Sequence, residues 1–428
     1  MDKNKRLTVW LPVIIAASIA LGIFIGNHYL SISQGKKRSY SSGNKINAIL
    51  DIIDEQYVDT VSMSKLVEST IPKIFSELDP HSVYIPAEDA SVVNEELEGS
   101  FSGIGVSFNM QTDTILVISV ISGGPAEKAG LLPFDRIISI NDSIFSGKKK
   151  NQGEIMKTLR GAKNSTVKLG VQRGNSPELL YFDVTRGDVP VNSVDVSYEA
   201  AKGIGYIKVS KFARNTYNEF ITAIAKLKQA GCTSFVIDLR GNTGGYMDAA
   251  INMINEFMPE GRLIVYTEGK SFPRSDVYAN GTGTCKDAPI VVLTDEISAS
   301  ASEIFSGAIQ DNDRGTIIGR RTYGKGLVQT QMSLSDGSEM RLTIARYYTP
   351  SGRCIQKKYE MGNTDAYDQD IYNRYMHGEF DSADSIKMDD SLKYQTVGGR
   401  TVYGGAVSCQ ISLSLVTRAA LPLTTQMW

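Results

Sequence analysis

The chain has 428 residues, which is enough for two or three domains. Its 45 lysines and arginines nearly balance 47 acidic residues, so the formal net charge is −2. This balance excludes the strongly basic composition that would indicate a nucleic-acid-binding protein. The 39 glycines are typical of a turn-rich α/β protein.

The amino terminus has the pattern of a membrane anchor. Lys5 and Arg6 precede an uncharged apolar stretch, residues 7–25, close to the roughly 20 residues that span a bilayer. Positive charge on this side favours a cytoplasmic amino terminus. The bulky residues 26–30 contain no small-x-small cleavage site, which favours an uncleaved signal anchor over a removed signal peptide. We expect residues 1–30 to be this anchor; a buried core helix is the alternative.

Residues 31–97 are expected to be a tether followed by a helical region. The stretch 31–44 is polar, basic and glycine-containing. Apolar residues then recur at helical spacing over 46–57 and 64–78. Pro72 is an irregularity in the second of these helices.

Short strands and turns are predicted over residues 98–187. Residues 115–121 and 135–142 have the composition of strands, and the second runs into a turn. Residues 125–131 form a short helix that ends at a glycine. A Gly-Ile-Gly-Val turn at 103–106 precedes another strand.

Strands and helices alternate after a predicted linker at Gly187–Pro190. Strands are expected over 204–209, 235–239 and 289–294, and an amphipathic helix over 218–230. Alternation of this kind predicts an α/β core.

Three ordered motifs lie in this α/β region. They are Asp-Leu-Arg-x-Asn-x-Gly-Gly at 238–245, Ser-Ala-Ser-Ala-Ser-Glu at 298–303 and Gly-Lys-Gly-x-Val-Gln at 324–329. Each alone has an ordinary interpretation. The first is a strand-to-helix loop that lacks the Gly-Lys-Ser/Thr ending of a phosphate loop. The second caps a helix, and the third is a solvated turn.

The residue types nevertheless suggest nucleophilic catalysis. A serine hydroxyl needs a base to take its proton. The chain has three histidines and none lies among the motifs: His28, His81 and His377. A lysine can replace histidine if burial disfavours its charged form, and glycines on both sides of Lys325 let backbone pack closely around it. A helix predicted over 300–310 would place Ser300 at its partially positive end.

Together the motifs resemble the C-terminal processing peptidases, serine endopeptidases of the S41, tail-specific type that use a Ser/Lys dyad. The resemblance implies that Ser300 is the nucleophile, Lys325 the general base and Gln329 the residue that orients the lysine. It also implies an oxyanion hole from the turn at Gly244 and Gly245 and the N–H of Ala301, without saying which glycine donates.

Residues 98–187 resemble a PDZ domain of the circularly permuted bacterial type. The resemblance depends on a Gly-Pro-Ala-x-x-Ala-Gly-Leu run followed by Asp-x-Ile-x-x-Ile-Asn. Such domains hold a peptide's C-terminal carboxylate in backbone N–H groups. The matching carboxylate loop consists of Gly103, Ile104, Gly105 and Val106.

The resemblance implies a multidomain α/β protein. A crotonase/ClpP-like peptidase core, residues 188–405, would carry an inserted β-rich PDZ domain and an N-terminal helical segment. The implied enzyme hydrolyses peptide bonds near protein C-termini in the periplasm, with no metal or other cofactor. Its expected partners are the inner membrane and proteins with accessible C-termini. A homo-oligomer or an adaptor is a further option. No nucleic acid is expected.

Three further residues receive structural interpretations. Ser298 is expected to cap the helix after it, while Ser300 stays catalytic. Asp311 lies where relatives carry an aspartate and is read as an ion pair or a cap. His81, in a Leu-Asp-Pro-His-Ser segment that resembles the one before the PDZ domain in this family, is read as structural.

The resemblance stops at Gly405. Relatives continue with Gly-Gly-Ile-x-Pro-Asp, and shifting the reading frame of residues 406–415 permits that sequence. We therefore predict a frameshifted tail at 406–428 that was not selected to bury its apolar residues; a divergent natural terminus is the alternative. The altered tail motivates a second hypothesis, a catalytically impaired homologue that acts only as a PDZ peptide-binding module. A crotonase-like enzyme acting on acyl thioesters is a third.

Overall fold

The computed structural model describes residues 16–23, 42–111, 114–146, 152–407 and 411–412. It divides into two units, Met1–Thr70 and Ile71–Trp428. In the first unit, residues 16–23 form helix α1, followed by α2 (Ser42–Gln56) and the start of α3 (Met63–Ser76). No helix within the described residues is long and apolar enough to cross a membrane. The other residues of the predicted anchor stretch, 7–15 and 24–25, lie outside the described ranges.

The second unit contains a small antiparallel sheet with its own hydrophobic core. Its strands are β3 (Val106–Gln111), β4 (Thr114–Val120), β5 (Arg136–Ile140), β6 (Ser143–Ile144), β7 (Thr166–Gln172) and β8 (Leu180–Thr185). Helices α5 (Pro125–Ala129) and α6 (Gln152–Leu159) accompany them. Helix α5 starts with proline and ends at Gly130, whose φ of 92° suits glycine. Val117, Ile137 and Leu169 are completely buried in the core of this sheet.

A two-stranded ribbon carries the chain into and out of this small domain. Strand β2 (Ser100–Gly103) follows helix α4 (Ala87–Glu98) and pairs antiparallel with β9 (Gly187–Pro190). The prediction of a linker at Gly187–Pro190 is therefore wrong, because these residues form a strand. Their pairing partner lies more than 80 residues earlier, so no local pattern indicated it.

The α/β core is built on a six-stranded sheet in the order β10–β11–β12–β15–β16–β21. These strands are Val194–Ala201, Ile204–Val209, Ser234–Asp238, Ile290–Thr294, Thr316–Gly319 and Ile411–Ser412. All except β10 run parallel to their neighbours. Helices α7 (Thr216–Gln229), α8 (Met247–Asn255) and α9 (Ala301–Asp311) belong to the same core. Phe257 is its aromatic centre, with edge-on contacts to Phe220, Phe235 and Phe305.

A second sheet supports the core. Its strands are β1 (Val83–Ile85), β13 (Leu263–Glu268), β14 (Ser275–Tyr278), β17 (Leu327–Ser333) and β18 (Glu339–Tyr348), ordered β1–β18–β13–β14 with β17 also paired to β18. The chain continues through α10 (Thr364–Asp368), α11 (Asp370–Met376), two short 3-10 turns (Ala383–Ser385 and Asp390–Leu392) and the ribbon of β19 (Lys393–Gln395) and β20 (Thr401–Tyr403).

The first residues of the predicted aberrant tail pack against the core. Ala406 and Val407 are buried. The backbone of Val407 bonds with Thr322 in both directions, since its N–H donates to the Thr322 hydroxyl at 2.8 Å and its carbonyl accepts from the Thr322 N–H at 3.1 Å. Two apolar residues of the predicted tail are thus buried, while its origin in a frameshift stays a prediction. Residues 408–410 and 413–428 lie outside the described ranges.

Candidate active site

The topology gathers the three sequence motifs at one edge of the six-stranded sheet. Strands β12, β15 and β16 are parallel neighbours. The segment 239–245 follows β12, the segment 295–300 follows β15, and Lys325 lies in the connection after β16. Carboxyl ends of parallel strands share one edge, which is where ligand sites form in α/β sheets.

Ser300 is held in an unusual backbone conformation. Its φ of 55° and ψ of −114° lie in a region that non-glycine residues rarely adopt. It is the residue immediately before α9, every residue of which is buried. Ser298 does not cap this helix: its hydroxyl donates to the carbonyl of Leu239 at 2.8 Å. The expected Ser298 cap is wrong, because Ser300 occupies the N-cap position.

The glycine turn lies directly against Ser300. A Cβ on Gly244 would come within 2.7 Å of the Ser300 Cβ, so only glycine fits there. The side chain of buried Asn242 fixes this turn by donating to the carbonyl of Val209 at 2.9 Å and accepting the N–H of Gly244 at 2.8 Å. The Gly244 N–H is thus already engaged.

Two other N–H groups lie at this turn, those of Gly245 and Ala301. Within the described residues, neither the N–H of Gly245 nor that of Ala301 donates a hydrogen bond. Ala301 is the first residue of α9, so its N–H is one of those a helix leaves unpaired. Of the two glycines in the turn, Gly244 thus has its N–H bonded to Asn242, and Gly245 does not.

Lys325 points its amine at Gln329. The Nζ atom donates to Oε1 of Gln329 at 3.2 Å. Burial lowers the pKa of Lys325 from its ordinary value of 10.5, and the positive charge of Arg341 lowers it further, while the negative charges of Asp79 and Glu303 act in the opposite direction. A lowered pKa raises the fraction of neutral amine, the form able to accept a proton.

Glu303 connects Ser300 to Lys325. Its buried carboxylate accepts the N–H of Ser300 at 2.9 Å and that of Lys325 at 2.8 Å, both on Oε2. Oε1 accepts the Thr322 hydroxyl at 2.6 Å and the Gly324 N–H at 2.8 Å. Burial raises the pKa of Glu303 to about 7, although these four donors lower it.

Tyr347 makes a second bridge on the carbonyl side of the same two residues. Its hydroxyl lies 3.1 Å from the carbonyl oxygen of Ser300 and also contacts the carbonyl oxygen of Lys325. The side chain is almost wholly buried, and burial raises the pKa of Tyr347 well above its ordinary value. The hydroxyl therefore stays protonated and can donate.

Of the two bridging residues, Glu303 lies within a sequence motif, but the sequence analysis did not identify its role. Ser300-Ala-Ser-Glu303 has the spacing of a capping box, in which the third residue's carboxylate reaches back to the cap N–H. That signal could have identified Glu303 as a partner of Ser300, though not of Lys325. Tyr347 carries no comparable signal, since its partners lie 47 and 22 positions away.

Asp311 is structural, as predicted. It forms an ion pair with Arg353 at 2.8 Å, and both side chains are completely buried. The Arg353 guanidinium also donates to the carbonyl of Tyr403 at 2.7 Å. This pair ties the end of α9 to the last ribbon of the chain.

His81 contacts the site through its backbone. The imidazole Nε2 lies 2.8 Å from the hydroxyl of Tyr367. Burial, and then the nearby charge of Lys325, lower the pKa of His81 to about 4, so the ring is neutral at physiological pH. Its carbonyl oxygen accepts the side-chain N–H of Gln329.

The predicted carboxylate loop lies where the ribbon enters the small domain. Gly103 ends β2 and Val106 begins β3, with Ile104 and Gly105 between them. The Ile104 carbonyl accepts the N–H of Ala126 at 2.7 Å, and Gly105 has a φ of 78°. The start of α5 therefore packs directly against this loop.

The fold and the site define a peptidase that carries a PDZ domain. Residues 203–365 match the model of peptidase family S41, and residues 102–195 match that of the PDZ domain. The chain is 35% identical over 318 residues to the carboxy-terminal processing protease CtpB of Bacillus subtilis (strain 168), covering 74% of this chain and 66% of that protein. It is 33% identical over 365 residues to a probable CtpA-like serine protease of Staphylococcus aureus (strain N315), covering 83% and 72%.

Among solved structures, the photosystem II D1 C-terminal processing protease shares 28% identity, with 74% of this chain and 91% of that chain covered and a TM-score of 0.42. The chain belongs to the C-terminal processing proteases of peptidase family S41. The resemblance and the fold class predicted from the sequence are confirmed: an S41 peptidase core, a PDZ domain and an N-terminal helical segment.

Proposed function

We propose that this protein is a serine endopeptidase in which Ser300 is the nucleophile and the neutral amine of Lys325 is the general base. The observation that carries the proposal is the Glu303 carboxylate, which accepts the backbone N–H of both residues on one oxygen. The two residues reach this atom from strands β15 and β16 by separate connections. Such an arrangement holds the nucleophile and the base in one fixed geometry, as the chemistry requires.

The reaction proceeds in two displacements. The Ser300 hydroxyl oxygen bonds to the scissile carbonyl carbon while its proton passes to the Lys325 amine. The resulting oxyanion lies against the free N–H groups of Gly245 and Ala301, which stabilise its charge. The C–N bond then breaks, the ammonium returns the proton to the leaving amine, and an acyl-enzyme remains. Water repeats the sequence and releases the acid.

Gln329 orients the base. A neutral lysine amine has two N–H bonds and one lone pair, and donating one N–H to the Gln329 Oε1 restricts the direction of that lone pair. The glutamine oxygen is thus needed on the side of the lysine. This role supports the predicted assignment of Gln329.

The PDZ domain supplies substrate selection. Residues 98–187 capture an accessible C-terminus at the loop 103–106 and present the segment before it to the core, residues 188–405. Residues 1–30 anchor the enzyme in the inner membrane with the catalytic part in the periplasm, residues 31–97 serve as tether and helical region, and residues 406–428 form the altered tail. The substrates are proteins with accessible C-termini.

The test is cleavage of an unfolded protein with an apolar C-terminus by the full-length chain in detergent, beside Ser300→Ala and Lys325→Ala. We expect fragments cut near the substrate's C-terminus with the unaltered chain, and none with either variant. Mass spectrometry of the products locates the cut. Circular dichroism of each variant controls for folding.

Retained cleavage in a purified, folded variant contradicts the dyad. Peptide binding without hydrolysis by the unaltered, folded chain would favour the binding-module hypothesis instead. A repeat with the predicted reading frame restored after Gly405 then asks whether residues 406–428 are responsible.

A further inference from the structure

The proposed base, Lys325, is supported by contacts that extend to residues outside the three sequence motifs. Gln329 offers its amide oxygen to Lys325 and its amide nitrogen to the carbonyl of His81. A carbonyl can only accept, so it selects the orientation in which the glutamine N–H faces His81 and the oxygen faces the lysine. The position of one backbone carbonyl thereby determines which end of the amide the base meets.

That carbonyl lies in a tight turn, residues 79–82, which we name the Asp79 turn. The nearly buried Asp79 carboxylate accepts the N–H of His81 at 3.0 Å and the N–H of Ser82 at 3.0 Å on one oxygen. Its other oxygen accepts the Ser82 hydroxyl at 2.5 Å. These bonds fix the backbone on both sides of the His81 carbonyl.

The Asp79 turn is docked on the strand pair that carries Gln329. The Thr343 hydroxyl donates to Asp79 at 2.9 Å, and the Thr343 N–H donates to the Ser82 hydroxyl at 3.0 Å. Thr343 is the residue directly opposite Gln329 in the pairing of β17 with β18. The Asp79 turn is thus attached to Thr343, the residue that pairs with Gln329.

We propose that the Asp79 turn is a positioning element of the general base, acting through the His81 carbonyl and Gln329 on Lys325, and that the His81 imidazole takes no part in proton transfer. This inference rests on the proposed Ser/Lys peptidase. It assigns to the segment before the PDZ domain a role in the chemistry of a site more than 200 residues away in sequence.

Asp79 also acts through its charge. Hydrogen bonds from Ser82 and Thr343 and from the backbone of the turn hold the pKa of Asp79 below its ordinary value, outweighing its burial, so it is ionised. Within the part of the chain that the structure describes, the charges that act on the pKa of Lys325 are those of Arg341, Asp79 and Glu303, and the charge of Lys325 in turn acts on His81. Of these, Asp79 and Glu303 stabilise the ammonium form.

The kinetic test compares four variants for hydrolysis of a peptide substrate. Asp79→Ala removes every bond that shapes the turn, and we expect kcat to fall about 10²-fold with KM little changed, as for a small misplacement of a catalytic group. Asp79→Asn keeps the oxygen that accepts the two N–H groups and loses less activity. His81→Phe keeps the carbonyl and the ring's bulk and also loses less.

Asp336→Ala is the matched control. Asp336 shapes the turn at the other end of the same hairpin by accepting the N–H and hydroxyl of Ser338 at 3.0 and 2.6 Å. It should keep the wild-type kcat. If Asp79→Ala does not fold, Thr343→Val tests the same docking, with Thr343→Ser restoring the hydroxyl. Equal kcat for folded Asp79→Ala and Asp336→Ala, or a His81→Phe loss as large as that of Asp79→Ala, overturns the proposal.

A second readout does not depend on hydrolysis. The pH dependence of Lys325 modification by fluorodinitrobenzene, followed by peptide mass spectrometry, reports the pKa of its amine. We expect Asp79→Asn to move that pKa downward, because a facing negative charge is lost, and Asp336→Ala to leave it in place. Absence of Ser300-dependent cleavage in the unaltered chain contradicts the peptidase itself. An unmoved Lys325 pKa in Asp79→Asn contradicts the action of Asp79 through its charge, and the kinetic outcomes given above decide its positioning role.

Discussion

Ser300 and Lys325, the proposed nucleophile and the proposed base, are held in different ways. Ser300 lies at the start of a buried helix, and its neighbours Gly244 and Glu303 come from the adjoining turn and from the helix itself. Lys325 lies in an irregular connection, and the partners of its side chain and carbonyl include β17 and β18, with His81 one contact further. The N–H of Ser300 is held from within its own helix, and Tyr347 contacts the carbonyls of both residues. The amine of Lys325 depends on Gln329 and, through it, on the distant carbonyl of His81. A substitution far from the site should therefore disturb the position of Lys325 more than that of Ser300.

The largest effect should come from Lys325→Arg. Arginine keeps the positive charge but stays protonated at any accessible pH, so it cannot accept the serine proton. We expect kcat/KM to fall by about 10⁴-fold or more, as when a catalytic base is removed from a serine protease. The measurement is peptide hydrolysis under single-turnover conditions. Activity within tenfold of wild type would show that charge alone, and not proton transfer, is what Lys325 supplies.

Asp311→Ala should cause a large loss of stability. It leaves Arg353 buried without its counter-charge, which typically costs about 3–5 kcal/mol of unfolding free energy. Urea denaturation measures the change. The control is Asp188→Ala, since both side chains of the Lys163–Asp188 pair are exposed and such pairs contribute at most about 1 kcal/mol. Equal losses in the two variants would contradict the structural role given to Asp311.

Glu303→Gln should weaken both halves of the site at once. The Glu303 carboxylate has two acceptor oxygens, which together accept four hydrogen bonds. The amide of glutamine has only one acceptor oxygen. We expect kcat to fall by about 10²-fold, measured with the same peptide. An unchanged kcat would mean that Glu303 does not hold the dyad together.

Glu303 should also give stability a pH dependence that the glutamine variant lacks. Its pKa is raised from 4.5 in the unfolded chain to about 7 in the folded one. The contribution of its protonated form is fully present below pH 4.5 and is lost as pH rises through about 7. Urea denaturation at several pH values measures this. An identical pH dependence in Glu303→Gln would contradict the assignment.

Tyr347→Phe should have the smallest effect. It removes one hydroxyl and leaves the ring, so we expect about a tenfold fall in kcat, equivalent to one hydrogen bond. The neighbouring Tyr348→Phe is the control, because that ring stacks on Tyr266 with the two ring centroids 4.7 Å apart. A greater loss in Tyr348→Phe than in Tyr347→Phe would contradict the second bridge.

Local patterns predicted many of the helices and strands but gave no pairing between strands. The strand predicted over Ile204–Val209 has those bounds in the structure, because alternating burial marks it directly. The residues of β9 have the local pattern of a linker, and only their pairing with β2 makes them a strand. The same limit applies to the site. The residue types of the motifs indicated the serine and the lysine, but not the carbonyl of His81 or the hydroxyl of Tyr347, whose roles depend on long-range contacts.

The most direct test of the account is the pH profile of kcat/KM for Ser300-dependent cleavage, measured beside the titration of the Lys325 amine. A lysine general base predicts one acid limb, with a pKa below 10.5 that coincides with the titration of Lys325. An acid limb near pH 4 that His81→Phe removes would contradict it, because the pKa of His81 lies at about 4 and the histidine would then be the base.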